Sequence, residues 1–114
     1  MNLNHLHLHV RDLRRSQRFY QSHFGLQKHA QHGGIVFLRD KKGFDLALAP
    51  DSRPSALPRW FHFGFRQRSA KAVRKLHAAL DAAGVPVHDL EEYEGRVTFR
   101  CMDPDGHRIE VYWA

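Results

Sequence analysis

Three histidines stand at alternate positions near the start of this 114-residue chain, in the run Leu3-Asn4-His5-Leu6-His7-Leu8-His9-Val10. A fourth, His62, sits in Trp60-Phe61-His62-Phe63-Gly64-Phe65-Arg66, and Glu110 lies between Ile109 and Val111. A carboxylate between two aliphatic residues is costly to bury unless it is paired or bound to a cation. Two neutral imidazoles and one carboxylate, with coordination positions left open, suit Fe(II), Mn(II), Ni(II), Co(II) or Zn(II). The same residues also have a metal-free reading. Strand histidines often hydrogen-bond locally, and Glu110 can pair with Arg100 or Arg108. The single cysteine, Cys101, excludes an internal disulfide and a cysteine-cluster metal site, and it fits a reducing cytoplasm.

The elements that position these residues follow from periodicity. Residues 3–10 alternate strictly, which predicts a half-buried strand with Leu6, Leu8 and Val10 on one face and His5, His7 and His9 on the other. Asp12 is placed to cap a helix over about 13–23, with Leu13, Phe19, Tyr20 and Phe24 as its apolar stripe and Gly25 after its end. Strands are expected at about 26–31, 35–39 and 44–49, separated by His32-Gly33-Gly34 and Arg39-Asp40-Lys41-Lys42-Gly43. Asp51 to Pro58 reads as a linker. The order then repeats. A strand is expected over 60–66, then a helix capped by Ser69 with Val73, Leu76, Leu80 and Ala83 inward and Gly84 at its end. Strands follow at about 86–90, 96–101 and 107–113, with turns near Glu94-Gly95 and Asp103-Pro104-Asp105-Gly106.

The chain therefore reads as β-α-β-β-β twice, an α+β fold built by internal duplication. Module 1 covers about 1–50, the linker 51–58 and module 2 about 59–114, all within one domain. The expected architecture is a shared cleft or incomplete barrel with the helices outside. Alternation assigns the opposite strand faces to that cleft. They carry His5, His7 and His9; Asp45 and Ala47; Trp60, His62, Gly64 and Arg66; Thr98 and Arg100; and Arg108, Glu110 and Tyr112. His23, His29, His32, His77 and His88 read as surface residues.

Composition narrows the partners. Hydrophobic residues make up 42% and charged residues 26%, enough for a packed core. No apolar run is long enough to span a membrane, and the N-terminus lacks the pattern of a secretory signal. The formal net charge is +6, which raises nucleic acid as a partner. The basic residues are interrupted by acids throughout, however, and no zinc-finger spacing or aromatic RNA-binding run occurs. The Arg11, Arg14, Arg15 and Arg18 cluster reads as a solvated helix face. The positive field suits a small anionic substrate better.

The opening Leu3-Asn4-His5-Leu6-His7-Leu8-His9-Val10-Arg11-Asp12-Leu13, with Ser16, Phe19-Tyr20 and Phe24-Gly25-Leu26, resembles that of vicinal oxygen chelate proteins. That superfamily covers glyoxalase I, fosfomycin-resistance and bleomycin-resistance proteins and extradiol dioxygenases. Phe61-His62-Phe63-Gly64-Phe65 resembles the first strand of their second module. Asp103-Pro104-Asp105-Gly106-His107-Arg108-Ile109-Glu110-Val111-Tyr112-Trp113 resembles their closing turn and strand. The resemblance implies one divalent metal ion held by His5, His62 and Glu110. It also implies a small-molecule substrate bound through vicinal oxygens, and a homodimer whose sites are built within one chain or from both.

In that reading Glu110, His7 and Tyr112 are the catalytic candidates, with His7 an alternative ligand. Arg100, Arg66, His9, Trp60 and Thr98 are the substrate-contact candidates; guanidinium groups suit carboxylate or phosphonate. Glyoxalase I relatives add a glutamate on the fourth strand, where this chain offers only Asp45. Fosfomycin transferases carry a lysine, a potassium-binding loop and a basic tail. The acidic stretch Leu90-Glu91-Glu92-Tyr93-Glu94-Gly95 and the end at Ala114 count against that activity. Extradiol dioxygenases share the Glu110-Val111-Tyr112-Trp113 ending. The expected function is thus a cytoplasmic metal-dependent lyase, isomerase or dioxygenase. The alternative is a metal-free protein of the bleomycin-resistance type, which would sequester a drug or metabolite between aromatic residues such as Trp60 and Trp113.

Overall fold

A computed structural model describes all of residues 1–114 and resolves two compact units, Met1–Ala56 and Leu57–Ala114. Each unit is a β-α-β-β-β module. In the first, strand β1 (His5–Val10) leads to helix α1 (Leu13–Phe24) and strands β2 (Gln27–His32), β3 (Ile35–Arg39) and β4 (Asp45–Pro50). In the second, β5 (Phe63–Arg66) leads to α2 (Ala70–Ala82), β6 (Glu91–Tyr93), β7 (Arg96–Met102) and β8 (Arg108–Trp113). The sheet orders are β1-β4-β3-β2 and β5-β8-β7-β6, so each module's first strand runs parallel to its last. The repeated β-α-β-β-β order and the α+β class are as expected. Both sheets are open.

The helices begin and end for local reasons. The Asp12 carboxylate accepts the Arg15 N–H at 3.0 Å, and Ser69 Oγ accepts the Ala72 N–H at 3.1 Å. Gly25 (φ +70°) follows α1 in the left-handed region, which a side chain adopts only under strain. The buried faces carry Ser16, Phe19 and Tyr20 on α1 and Val73 and Leu80 on α2. They meet alternate strand residues: Leu8, Val10, Val36, Leu38, Leu46 and Leu48 in the first unit, and Val97, Phe99, Ile109 and Val111 in the second. All four of Arg11, Arg14, Arg15 and Arg18 are exposed, the solvated face expected.

The duplication extends to the turns before the last strands. Asp40 Oδ1 accepts N–H bonds from Lys42 and Phe44 at 2.8 and 2.9 Å, and Asp103 Oδ1 accepts them from Asp105 and His107, both at 2.9 Å. Gly43 and Gly106, three residues after each aspartate, both have positive φ.

Ala83, expected on the inward stripe of α2, is exposed just past its end, and His23, expected at the surface, is half-buried against Phe19. Three further sequence expectations need correction. The strand expected at 86–90 is β6 at Glu91–Tyr93. Its register is set by the tight Glu94-Gly95 turn, which pairs Tyr93 with Arg96, while Pro86 lacks an N–H to extend a ladder. Only an isolated bridge joins Val87 to Cys101. The strand expected from Trp60 begins at Phe63, because Pro58 O accepts the Phe61 N–H and turns the chain there. His77 is half-buried rather than a surface residue. Its Nε2 donates to the His88 carbonyl at 2.8 Å, and its ring stands edge-on to Phe99.

Candidate functional site

Glu110 is the centre of the second unit's candidate site. Ile109 and Val111 on either side of it are fully buried, so β8 must turn Glu110 to the face opposite α2. The side chain is 18% exposed. Thr98 Oγ1 donates to its Oε2 at 3.3 Å, and Arg96 Nη2 reaches the same oxygen at 3.3 Å. The partner is thus Arg96, not Arg100 or Arg108 as the sequence suggested. Arg100 lies directly across from Glu110 in the β7–β8 register, but Arg96 approaches from the hairpin end of β7. Its guanidinium also lies 5.3 Å from the ring centroid of Tyr112.

Arg96 is the site residue the sequence reading missed. The signal was present: Val97, Phe99 and Cys101 are the buried apolar positions of β7, so Arg96 shares the face of Thr98 and Arg100. A cavity of about 400 Å³ opens on this face. Its lining includes Arg96, Thr98, Arg100, Glu110, His88 and Glu91.

On the other side of Glu110 lies β5. Gly64 is its direct partner across the parallel pair. A Cβ on Gly64 would come 3.4 Å from Glu110 O and 3.6 Å from Tyr112 Cε1. The missing side chain therefore keeps the flank of Glu110 open, a common reason for glycine inside a strand. His62 stands two residues before Gly64, exposed, with Nδ1 3.0 Å from Trp60 O. A carbonyl can only accept, so Nδ1 carries the proton and Nε2 presents its lone pair. Arg66 donates to the main-chain oxygen of Ala114 at 2.7 Å, and Trp60 sits on the turn before β5, 74% exposed. Tyr112 is half-buried on β8, with Thr98 and Arg66 as its cross-strand neighbours.

The first unit carries the histidine ladder. His5, His7 and His9 are all exposed on one face of β1. His5 Nδ1 lies 2.9 Å from the Asn4 side-chain oxygen, which again leaves Nε2 as the ligating atom. His9 Nδ1 pairs with Asp51 Oδ2 at 2.9 Å, and this bond is the main cause holding the Asp51 carboxyl below its ordinary pKa. The His7 and His9 rings are 5.2 Å apart.

Asp45, the sequence's candidate extra ligand, is already taken. Arg39 binds it through Nε at 2.7 Å and Nη2 at 2.9 Å. That pair, more than the nearby histidines, lowers its pKa. Register explains its unsuitability. Counting from the matched turns at Asp40 and Asp103, the first-unit equivalent of Glu110 is Ala47, paired with His7 as Glu110 is paired with Gly64.

Each donor taken singly has the chemistry of a divalent-ion ligand: His5 in the first unit and His62 in the second hold Nδ1 on an oxygen acceptor, and Glu110 in the second is a carboxylate with an open flank. His62, one residue before β5, and Glu110 on β8 both belong to the second unit, while His5 belongs to the first. No group of three or more His, Cys, Asp or Glu side chains is placed to hold a metal ion.

Comparison with known proteins finds a family match, the Glyoxalase/Bleomycin resistance protein/Dioxygenase superfamily, over residues 2–111. The chain is 29% identical over 114 residues to the glutathione transferase FosA of Serratia marcescens, covering 97% of this chain and 79% of that protein. It is 32% identical to a possible glyoxalase from Bacillus cereus, with a TM-score of 0.86 and 97% of each chain covered. The fosfomycin resistance protein FosX of Listeria monocytogenes shares the fold at a TM-score of 0.88 and 20% identity, covering 100% of this chain and 93% of its own.

Proposed function

Because the chain belongs to the glyoxalase/bleomycin resistance protein/dioxygenase superfamily, we propose that it is a small divalent-metal-dependent enzyme acting on a small anionic substrate with neighbouring oxygens. His5, His62 and Glu110 are the proposed ligands. A divalent ion bound there would act as a Lewis acid toward two substrate oxygens. The observation that carries the reading is Glu110, a carboxylate fixed by Thr98 between two fully buried residues, open on its Gly64 flank and facing a cavity with two arginines. A carboxylate in that position needs a cationic partner, and Arg96 supplies only one contact, at 3.3 Å, which leaves the carboxylate able to take an ion.

The chain's own residues have defined tasks in this proposal. The Trp60 and Asn4 oxygens orient the His62 and His5 rings. Thr98 keeps Oε2 of Glu110 in place, and Arg100 and Arg96 receive the substrate's anionic group. Tyr112 and His7 are the proposed proton-moving groups. The likeness to a glutathione transferase at 29% identity supports transferase chemistry, and the likeness to a possible glyoxalase at 32% identity supports lyase or isomerase chemistry, over a dioxygenase. The first likeness also keeps a thiol-adding reaction in play despite the acidic 90–95 stretch. We place the enzyme in the cytoplasm as a homodimer. No helix is long and apolar enough to cross a membrane.

A second reading, a metal-free drug- or metabolite-binding protein, is favoured by the Arg96–Glu110 pair and by the absence of a grouped ligand set. Metal analysis after purification without nickel affinity separates the two. A stoichiometric ion in the wild type, lost in His62→Ala and Glu110→Ala, is the expected result. An ion-free protein that binds its ligand normally in both variants would replace the enzyme with the binder.

A further inference from the structure

We infer that Arg96 couples cation binding to anion binding: it guards Glu110 until a cation claims that carboxylate, and then holds the anionic group of the substrate. The inference rests on the proposal that Glu110 is a cation ligand. Arg96 makes a loose pair. A single guanidinium nitrogen reaches Glu110 at 3.3 Å, whereas the Arg39–Asp45 contacts measure 2.7 and 2.9 Å and Arg74–Glu92 measures 2.6 Å. Charge-assisted bonds built for stability are short and, for arginine, often two-pronged. Both contacts to Glu110, from Arg96 and from Thr98, fall on Oε2 rather than Oε1.

Arg96 does not depend on Glu110 for its position. It is anchored as the first residue of β7, paired with Tyr93 across the Glu94-Gly95 turn, and its guanidinium rests near the Tyr112 ring. An ion on Glu110 would neutralise the carboxylate and repel the guanidinium, yet backbone and ring would keep Arg96 at the cavity. Its fork would then face the same 400 Å³ space as Arg100. Two guanidinium groups beside a cation select a carboxylate, phosphonate or phosphate. The negative residues Asp89 and Glu91 line the same cavity and disfavour a second anionic group.

The test is a titration of metal-stripped protein with Mn2+, with and without methylphosphonate, reading free Mn2+ by electron paramagnetic resonance. Glu110→Gln supplies the baseline for ions held by surface histidines. Arg96 is half-exposed, so Arg96→Gln is compatible with the fold. Without the anion, Arg96→Gln is expected to bind Mn2+ roughly fivefold more tightly than wild type, the upper range for releasing one partly exposed ion pair. In the wild type, methylphosphonate tightens Mn2+ binding, and Mn2+ tightens methylphosphonate by the same factor, as linkage requires. In Arg96→Gln that mutual factor shrinks. Equal or weaker Mn2+ affinity in Arg96→Gln, with the coupling intact, overturns the role of Arg96 and leaves Glu110 as a ligand. Wild type and Arg96→Gln both at the Glu110→Gln baseline overturns the metal reading and the inference together.

Discussion

Gly64 offers the sharpest separation of stability from function. Its φ is not in the positive region, so alanine can adopt the backbone without strain. The added Cβ would meet Glu110 O at 3.4 Å, Tyr112 Cε1 at 3.6 Å and Glu110 Cβ at 3.9 Å. These are ordinary contacts, the first at the tight limit, and they add packing across the β5–β8 pair. Loss of unfolded-chain entropy should make Gly64→Ala more stable by about 0.4–1 kcal/mol. That corresponds to a melting temperature a few degrees higher, on the order of 2–6 °C. Gly64→Leu extends the side chain past Cβ into the space beside Glu110 and Tyr112. There it should weaken the metal binding proposed for Glu110 roughly ten- to hundredfold, the cost of disturbing a ligand's immediate surroundings. Thermal denaturation of metal-stripped protein and Mn2+ titration read the two effects separately. If Gly64→Leu binds Mn2+ as tightly as wild type, the open flank of Glu110 plays no part in the site. If Gly64→Ala lowers the melting temperature, the space across the strand pair is not free.

Other consequences follow from single contacts. Asp103→Ala removes the carboxylate that accepts the Asp105 and His107 N–H groups. It should cost about 2–4 kcal/mol in urea denaturation, with Asp103→Asn well below that because one acceptor oxygen remains; equal losses in the two variants would contradict the role given to that oxygen. Arg39 holds the Asp45 pKa below its ordinary value. The stability difference between wild type and Asp45→Asn should therefore be complete above about pH 4 and fade as pH falls through the depressed value. A difference that grows on acidification would reverse this assignment. Burial, and then the charge of Asp103, push the Cys101 thiol pKa up to about 12. Cys101 should thus resist a disulfide-exchange reagent at pH 8 until the chain unfolds, and rapid labelling of native protein would show that β7 opens locally.

Much of this protein is legible in its residue order because strand alternation is a local rule. The run from His5 to Val10 could turn Leu6 inward and bury Leu8 and Val10 only by turning His5, His7 and His9 out, and the same parity turned Glu110 and Tyr112 away from Ile109 and Val111. Asp12, Gly25 and Ser69 marked helix ends through bonds and backbone angles that span a few residues. Pairing across strands obeys no such local rule. Whether Glu110 meets Arg96, Arg100 or Arg108 depends on the β7–β8 register and on how far a long side chain reaches along the sheet, so the sequence named the two wrong arginines.

Asp45 looked available until β3 brought Arg39 opposite it, and register put Ala47 at the position matching Glu110. Pro58 and Pro86 moved strand boundaries because a missing N–H or a turn overrides a run of apolar alternation. The residue order alone determined the duplicated modules and the faces of their strands. Tertiary structure decided which charges touch, because hydrogen-bond partners are fixed by register and reach between segments distant in the chain.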